Sequence, residues 1–396
     1  MVELKKHIWS EVDLDAIENN VSAFRGIVKN SEIIAVIKAN AYGHGAPKIA
    51  AFLEGIGINM FAVASVREAL ELRRNGIAGK IIILGYTAPE EATILANNDI
   101  SQSVYSESYA LALAENLKGI GKRLNIHVKL NTGMNRLGFN CCTDPDSAKK
   151  ISAVLQNDCF CFEGIFTHFA SADRGGDQDL EFTRLQSVRF LNVCNELKNM
   201  GYVPKLRHCC NSAGIVTMPD MQLDAVRLGI SLYGLTPDEG LDLPIALSPA
   251  LSLKSTISLV QVIESGETVS YGRTFRANGK MRIAAVSVGY ADGYPRLLSG
   301  KGEVLIGGTR CKILGRVCMD QLIVDVSHLT DVKEGAEVVL IGQQGEERIS
   351  AEDIARLCGT INYEIVCGVS HRVPRYYLKN CEIVSTTDYV YEETEK

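Results

Sequence analysis

The 396-residue sequence has no uninterrupted apolar run of about 18 residues, the length that a membrane-spanning helix needs. Its first segment, "MVELKKHIWSEVDL", lacks the apolar core of a signal peptide. These two absences predict a cytoplasmic location. An excess of basic residues is missing as well. The formal net charge of −6 argues against nucleic acid or an anionic membrane as a partner.

The spacings that mark a protein metal site are also absent. Twelve cysteines occur, but none form a C-x-x-C pair, and Cys141-Cys142 and Cys209-Cys210 are directly adjacent. Without a secretory signal these thiols are expected to be reduced and to act mostly as small buried apolar side chains. The sequence therefore predicts no metal site.

Strand-like and helix-like stretches alternate regularly from residue 12 to about 235. Eight strands alternating with helices predict an α/β fold of the (β/α)8 TIM-barrel type. An open doubly wound sheet is the alternative, but it normally carries G-x-G-x-x-G after its first strand, and that pattern is missing. The predicted strands are 33–38, 60–64, 80–85, 100–104, 125–130, 161–167, 204–209 and 222–232.

The helices between these strands have recognisable limits. In "SVREALELRRNG", Ser65 and Glu68 form a capping box and Gly76 is a stop signal. The predicted helices are 13–30, 44–56, 65–75, 89–97, 107–118, 145–156 and 178–200.

After about residue 240 the pattern changes to alternating strand runs separated by glycine-rich turns. Only 350–358 is predicted to be helical there. The sequence thus predicts a barrel over 12–238 and a mainly-β domain formed by 1–11 with 239–396.

Barrel enzymes carry their reacting groups at the carboxyl ends of the strands. In this sequence those ends are rich in lysine, arginine and histidine, which favours an anionic ligand such as a phosphate. The segment after the eighth strand contains glycine and is a common phosphate site in such barrels. The candidates are Lys38; Lys129, Asn131 and Arg136; Thr167 and His168; Asn211 and Ser212; and Arg227, Gly229 and Ile230.

Lys38 stands in "AVIKANAYGHG", where an apolar strand leads into a lysine and a turn with two glycines. In a partly apolar, cationic pocket the ammonium form is disfavoured, and the neutral amine can form a Schiff base with a carbonyl. A lysine beside a phosphate site suits a pyridoxal phosphate enzyme. It suits a class I aldolase equally, and the topology leaves both open.

The same segment resembles the pyridoxal phosphate attachment motif of the alanine racemase family, in which the lysine carries the cofactor as an aldimine. The resemblance implies a pyridoxal phosphate barrel with a C-terminal β domain and a head-to-tail homodimer whose active sites take residues from both chains. It also implies two-base interconversion of L-alanine and D-alanine, which supplies D-alanine for peptidoglycan. Further segments follow in the family's order: "HVKLNTGMNRLG", "THFASAD", "NSAG", "GISLYGL", "VSYGRTF", "VGYADGYPR", "RVCMDQLIVDV" and "INYEIVCGVSHRVPR".

The resemblance assigns two bases, since in racemisation the proton leaves one face and returns on the other. Lys38 would hold the cofactor and act on one face, and Tyr271 of the other subunit would act on the opposite face. A free tyrosine titrates near pH ~10, so Tyr271 needs cationic neighbours. His168 and Arg227 resemble that machinery, with Arg227 facing the pyridine nitrogen and keeping it unprotonated.

The other roles also follow from the resemblance. Lys129 matches a lysine that is carbamylated in several members, and the carbamate would hold Arg136. Arg136 would approach the substrate carboxylate, to which Met319 would offer its backbone N–H. Tyr290 would line the access route from the partner chain. The predicted phosphate cradle is Tyr42, Ser212, Gly229, Ile230 and Tyr363.

Three residues depart from the family pattern. Leu228 replaces a usual proline after Arg227 and is expected to loosen that turn slightly. Asn131 stands where aspartate is usual, which removes an anionic support beside Lys129 and Arg136. His371 replaces a frequent tyrosine and is expected to alter the access route.

The nearest alternative is a serine or broad-specificity amino-acid racemase of the same family. Tyr363, expected beside the methyl pocket, favours alanine because its ring is bulky, and membrane-tethered serine racemases carry transmembrane helices that this sequence lacks. A decarboxylase of the same barrel-plus-β class is a more distant alternative, because such enzymes use a set of cysteine or aspartate residues and a different sequence around the lysine. A cofactor-binding module without turnover would be a single barrel, and the β domain with Tyr271 argues against it.

Overall fold

The computed structural model describes residues 7–174 and 176–390, which form two compact units. The barrel unit contains Ile17–Ala41 and Ala46–Ser248, and the β unit contains 7–16, Tyr42–Gly45 and 249–390. The predicted domain limits, 12–238 and 1–11 with 239–396, stay predictions. Residues 1–6 and 391–396 of the second lie outside the described residues.

Eight parallel strands of the barrel unit close into a ring. The first strand pairs with the eighth, with Ala225 opposite Glu32, and the fourth pairs with the fifth, with Gln102 opposite Ile126. This closure confirms the predicted (β/α)8 barrel and excludes the open sheet. The strands are Glu32–Val36, Met60–Val63, Lys80–Ile83, Ile100–Val104, Leu124–Asn131, Phe160–Phe166, Leu206–His208 and Ala225–Leu228.

Most barrel strands are short runs of apolar, often β-branched residues that are buried on both faces. Ile81, Ile82 and Ile83 of the third strand are fully buried. Parallel strands covered on both sides require this composition, and each such side chain contributes about 1.5–3 kcal/mol. Polar side chains buried in the same strands, such as Lys129 and Arg227, are therefore the exceptions that mark a site.

Helices follow the strands with limits close to the predicted ones. The predicted capping box is present: Ser65 Oγ accepts a hydrogen bond from the Glu68 N–H at 3.4 Å, and the Glu68 carboxylate accepts one from the Ser65 N–H at 3.3 Å. The helices of this part of the chain are Leu14–Ile27, Ala46–Gly55, Val66–Arg74, Ala92–Asn97, Glu107–Leu117, Ser147–Leu155, Asp177–Asn199 and Ser212–Thr217.

Six antiparallel strands of the β unit close into a second, smaller barrel. Closure depends on the 13-residue strand Leu251–Ile263, which pairs with Met281–Val286 and also with Glu337–Gln344. Register shifts in both pairings let this one strand join two neighbours. The strands of the unit are Ile8–Asp13, Leu251–Ile263, Thr268–Val269, Phe275–Arg276, Met281–Val286, Glu303–Ile306, Thr309–Leu314, Leu322–Asp325, Glu337–Gln344, Glu347–Ile349, Arg375–Lys379 and Glu382–Thr387.

The β unit has a helix at Ala351–Cys358, as predicted, and a further helix at Asn362–Cys367. The prediction that only 350–358 is helical was therefore wrong. The second helix has six residues, and its N-cap Ile361 supplies no side-chain hydrogen bond, so the usual start signal is missing. Among the described residues, no helix combines the length and apolar character that crossing a membrane would require.

Candidate active site

The first barrel strand ends at Val36, two residues before the predicted end, and Lys38 begins a left-handed turn. The four residues 39–42 have φ between 51° and 55°. Each residue in this conformation costs roughly 1–2 kcal/mol, so contacts elsewhere must hold the turn. One of them is the Asn40 side chain, whose Oδ1 accepts from the Ala46 N–H at 2.8 Å. Such strain is concentrated at functional sites, which supports a functional role for Lys38.

Arg227 of the eighth strand is 2% exposed, and its guanidinium is surrounded by acceptors. Nη1 donates to Nδ1 and to the carbonyl oxygen of His208, at 2.8 and 3.0 Å. Nη2 donates to the carbonyl oxygens of Thr167 and Cys209, at 2.8 and 3.0 Å, and to Nδ1 of His168 at 3.2 Å. Within the described residues Nε–H has no acceptor. Burial lowers the pKa of Arg227 to about 10, so it remains a cation at neutral pH.

His168 follows the sixth strand and is neutral. Its pKa lies well below the ordinary value because it is buried and because the charges of Arg227, Arg136, Lys129 and Lys38 oppose its protonation. A guanidinium has no acceptor, so Nδ1 of His168 accepts from Arg227 and the ring proton lies on Nε2. The structure thus places these five predicted residues of the barrel unit within electrostatic reach of one another.

Lys129 lies in the fifth strand and is 4% exposed, with Nζ 5.4 Å from the centroid of the Phe166 ring. Burial lowers the pKa of Lys129 to about 7, and the charges of Arg136, Arg227 and Lys38 act in the same direction. Much of its amine is therefore neutral near pH 7. A neutral amine is the form that adds carbon dioxide, so this environment supports the predicted carbamylation, which stays a prediction.

Arg136 is exposed and lies just beyond a turn that Asn131 organises. Asn131 Oδ1 accepts from the N–H groups of Gly133 and Asn135, at 3.2 and 2.9 Å. Its Nδ2 donates to Asn135 Oδ1 at 2.9 Å. An aspartate could make the first two contacts but not the third, because an ionised carboxylate only accepts. The departure at Asn131 therefore exchanges an anion for a more fully hydrogen-bonded turn.

Ser212 and the segment after the eighth strand form the predicted phosphate cradle of the barrel unit. Ser212 Oγ accepts from the Gly229 N–H at 2.9 Å, which connects the ends of the seventh and eighth strands. Ser212 is 5% and Ile230 1% exposed. A hydroxyl and backbone N–H groups held together in this way suit an anion.

Three further buried side chains, outside the predicted set, continue inward from Arg227. His208 Nε2 lies 2.9 Å from His127 Nδ1, and His127 Nε2 lies 3.2 Å from Glu163 Oε2. All three are at most 6% exposed. A signal for them exists in the sequence, since His127 and Lys129 alternate with apolar residues in the middle of their strand and therefore share a face. Arg227, His208, His127 and Glu163 are called the buried network below.

In the β unit, Tyr271 lies at the tip of a short hairpin and is 71% exposed. Its neighbour Ser270 has φ 64° and donates from Oγ to the Arg316 carbonyl oxygen at 2.6 Å, which fixes the tip. Tyr271 and Met319 line one open depression of about 530 Å³. Tyr290 is connected to it, because its N–H donates to the Cys318 carbonyl oxygen at 3.0 Å.

Met319 is 52% exposed, and within the described residues its N–H has no acceptor. Tyr271, Tyr290 and Met319, the three residues assigned to a shared site, therefore lie close together in the β unit.

Tyr42 and Tyr363, both in the β unit, have ring centroids 6.1 Å apart. Burial raises the pKa of Tyr42 far above its usual value, and the proximity of Tyr363 and Cys367 adds to this. Its hydroxyl is therefore a proton donor at any physiological pH. His371 stacks on the Tyr389 ring at 4.5 Å, and burial together with Arg375 lowers the pKa of His371.

The sequence matches two family models, "Alanine racemase, N-terminal domain" over residues 12–237 and "Alanine racemase, C-terminal domain" over residues 250–377. An alanine racemase of Clostridium perfringens is 44% identical over 384 residues, covering 97% of this chain and 98% of its own.

Solved structures agree with the sequence matches. The alanine racemase of Bacillus anthracis with bound L-Ala-P is 36% identical with a TM-score of 0.93, covering 98% of this chain and 99% of that chain. A histidine racemase from Leuconostoc mesenteroides is 29% identical with a TM-score of 0.85, covering 95% and 99%.

Proposed function

The chain belongs to the alanine racemase family, and from this premise we propose that it interconverts L-alanine and D-alanine with pyridoxal 5'-phosphate as its cofactor. The observation that carries the proposal is Lys38, held on a strained turn beside Lys129, Arg136, His168 and Arg227. Family membership favours this cofactor over the aldolase chemistry that the topology left open. A role in supplying D-alanine for peptidoglycan in the cytoplasm is part of the same proposal.

The residues of the barrel unit fit pyridoxal phosphate. Lys38 supplies the amine for its aldehyde, and Ser212, Gly229 and Ile230 supply the hydroxyl and N–H groups for its phosphate. Within the described residues Arg227 Nε–H has no protein acceptor, although both Nη groups are used, and it suits a ring nitrogen. The assignments of Tyr42 and Tyr363 to the phosphate rest on the family resemblance.

The bound cofactor supplies an electron-withdrawing ring that stabilises negative charge at Cα of the amino acid. The protein has to move one proton at that carbon from either face. We assign Lys38 Nζ to one face and the Tyr271 phenolic oxygen of the partner to the other. Two groups are required because a single base returns the proton to the face from which it was taken.

Arg227 and His168 limit where protons can reside. Arg227 remains protonated at neutral pH, so it would donate a hydrogen bond to the ring nitrogen without giving up its proton. His168 is neutral, with its proton on Nε2. Arg227 thus keeps the site cationic, and neither residue adds a strong acid.

We assign Arg136 to the substrate carboxylate. The backbone N–H of Met319 of the partner subunit is the second donor to this carboxylate. The exposure of Arg136, Tyr271 and Met319 supports a site that is completed by a second copy of the chain. Tyr290 would line its access route. A head-to-tail homodimer with shared active sites is therefore part of the proposal.

The test is a racemisation assay on the purified protein with pyridoxal phosphate, following optical activity from each pure enantiomer of alanine, serine, histidine and lysine. We expect turnover of alanine to exceed that of the others. A faster reaction with serine or histidine would instead favour the broad-specificity alternative, for which the structural match to a histidine racemase is the supporting observation.

The matched variants are Lys38→Ala and Lys48→Ala, the second lysine being exposed on the helix Ala46–Gly55. Lys38→Ala should lose both the absorption band of bound cofactor and racemisation, and Lys48→Ala should keep both. Alanine racemisation that survives in Lys38→Ala would refute the assignment.

A further inference from the structure

The buried network connects six barrel strands through polar contacts. Arg227, His208, His127 and Glu163 stand on the eighth, seventh, fifth and sixth strands, and each contacts the next at 2.8, 2.9 and 3.2 Å. At its far end Glu163 Oε1 accepts from Lys80 Nζ at 2.8 Å. Glu163 Oε2 accepts from Ser101 Oγ at 2.5 Å. The contacts therefore run from the cationic mouth of the barrel to the half-exposed Lys80.

The two ends of the network fix one direction of hydrogen bonding. A guanidinium only donates, so His208 Nδ1 must accept from Arg227 and the proton of His208 lies on Nε2. That proton is donated to His127 Nδ1, which places the His127 proton on Nε2. Glu163, an ionised carboxylate, accepts this last proton. Burial, by itself, would raise the pKa of Glu163, but hydrogen bonds from His127, Lys80 and Ser101 outweigh it and hold that pKa well below the usual range.

Both histidines are neutral in this arrangement. Burial lowers the pKa of His127, and it holds the pKa of His208 well below its usual value. A protonated His208 would direct an N–H at Arg227, and two donors would face each other. Because every bond donates in the same direction, each one also polarises the next.

The sixth strand is shaped around this network. A side chain at Gly164 would lie 2.2 Å from His127 Nδ1, so glycine leaves the space for the imidazole ring. Phe166 stacks on His208 with ring centroids 4.8 Å apart, and its ring also lies 5.5 Å from the Arg227 guanidinium carbon. Burying a carboxylate is costly, and replacing buried ionic groups by well-packed apolar side chains is often neutral or stabilising. The network therefore has a use besides packing.

We propose that Glu163 and His127 are positioning residues that act on Arg227 through His208, fixing the hydrogen-bond direction that leaves Arg227 Nε–H for the cofactor ring. With His208 Nδ1 as an acceptor, both Nη groups of Arg227 are used by the protein. If the direction reversed, His208 would present a donor, and Arg227 would have to turn away. The inference rests on the proposed function only for the identity of the ring.

The first measurement is made on the unsubstituted protein without the cofactor, and variants serve only to assign its signals. Nitrogen-15 NMR of the histidine side chains in the cofactor-free protein distinguishes protonated from bare ring nitrogens. We expect His127 and His208, assigned by His127→Gln and His208→Gln, to carry their protons on Nε2 at pH ~7. A proton on Nδ1 of either ring, or a doubly protonated ring, would overturn the proposal.

The second measurement uses Glu163→Gln, Lys80→Met and the double variant. A glutamine side chain has only one oxygen, and in Glu163→Gln the Lys80 ammonium competes with His127 for it. If Lys80 takes the oxygen, the amide NH₂ faces His127. The direction of hydrogen bonding through the network is then reversed. Removing Lys80 as well frees that oxygen for His127. The double variant should therefore regain the wild-type tautomers, whereas a purely structural role predicts that the two losses add.

In the holoenzyme, Glu163→Gln should shift the absorption maximum of the bound cofactor and lower kcat for alanine by roughly threefold to thirtyfold, with little change in KM. Lys80→Met and the double variant should resemble the wild type in both. Unchanged tautomers and spectrum in a folded Glu163→Gln protein, or a double variant worse than either single one, would overturn the proposal. If the unmodified protein neither binds pyridoxal phosphate nor racemises alanine, the proposed function fails, and the tautomers still decide the direction of the network.

Discussion

At the scale of single residues, the two proposed bases differ sharply in burial. Lys38 is partly buried at the end of a barrel strand, whereas Tyr271 is 71% exposed at a hairpin tip. A base at an amino-acid Cα works best where bulk water is excluded. Tyr271 does not meet that condition within its own unit, so its role requires a second surface to cover it.

Replacing Tyr271 by phenylalanine removes one base and leaves the other. With either pure enantiomer in deuterated water, exchange of the α-proton should persist for the enantiomer that Lys38 deprotonates. For the other enantiomer it should fall by roughly 10²-fold or more, the usual contribution of a positioned acid or base. Mass spectrometry of the recovered alanine gives both rates.

Tyr202→Phe, in the loop before the seventh barrel strand, is the matched control and should leave both rates unchanged. Equal losses for the two enantiomers in Tyr271→Phe would contradict the two-base assignment.

Lys129 is expected to take up carbon dioxide in a pH-dependent way. Its pKa is about 7, so the neutral amine becomes the major form as pH rises from about 6 to about 8. The amine nitrogen bonds to the carbon of carbon dioxide and releases one proton, giving an anionic carbamate. At constant dissolved ¹³C-labelled carbon dioxide, the carbamate ¹³C NMR signal should grow over this range and be absent in Lys129→Met. No signal at about pH 8 under saturating carbon dioxide would refute the modification.

Polar residues towards the carboxyl ends of strands could be named from the sequence, and the contacts between polar residues deeper in the barrel could not. Lys38, His168 and Arg227 were placed because the alternation of strands and helices locates the strand ends. The buried network depends on register, in which His127 lies opposite Gly164 and His208 opposite Phe166. These partners are far apart in sequence, and no single strand shows that their polar groups meet.

At the scale of elements, Gly43 tests the turn that carries Lys38. It has φ +86°, and a methyl group there would lie 2.1 Å from the Val366 carbonyl oxygen. Gly76 has φ +80° with open space around it. Both alanine variants incur the left-handed cost of roughly 1–2 kcal/mol, but only Gly43→Ala adds a clash with backbone.

Urea unfolding of both variants separates the cost of the left-handed backbone from the cost of the clash with the Val366 carbonyl oxygen. Gly43→Ala should lose at least about 2 kcal/mol more than Gly76→Ala and should also lose activity, because the displaced turn moves Lys38. Equal losses of stability would show that the close approach of Gly43 to Val366 contributes nothing.

Elements with strong periodicity were predicted well, and those imposed by tertiary contacts were not. The fourth strand has its predicted limits, 100–104, and the helix at 107–117 differs by one residue, because burial pattern and caps mark them locally. The left-handed turn 39–42 contains two alanines, which have no preference for positive φ, so its conformation comes from contacts such as that of Asn40 with Ala46. The short helices Ser212–Thr217 and Asn362–Cys367 were missed because six residues give too little periodicity.

At the scale of the whole molecule, the net charge of the chain does not reveal the positive charge of the proposed site. The formal net charge is −6, yet Lys38, Lys129, Arg136 and Arg227 act together on His168. Attraction of an anionic ligand is therefore expected only at the barrel mouth, where low dielectric strengthens it.

The proposed shared site makes a prediction that only an assembly can satisfy. If Lys38 and Tyr271 of one active site come from different chains, a mixed dimer of Lys38→Ala and Tyr271→Phe has one site with both lesions and one intact site. Random pairing at equal amounts makes about half of the dimers mixed, so about a quarter of all sites should be intact. The two nearly inactive variants, separately tagged and produced together, should therefore recover about that share of wild-type racemisation.

Pairing either single variant with the Lys38→Ala/Tyr271→Phe double variant is the matched control, since no such dimer contains an intact site and no activity should return. Tandem purification on both tags verifies that mixed dimers have formed. If they form and stay inactive, both bases of each site belong to one chain. The exposure of Tyr271 and Met319 on the β unit would then need a different explanation.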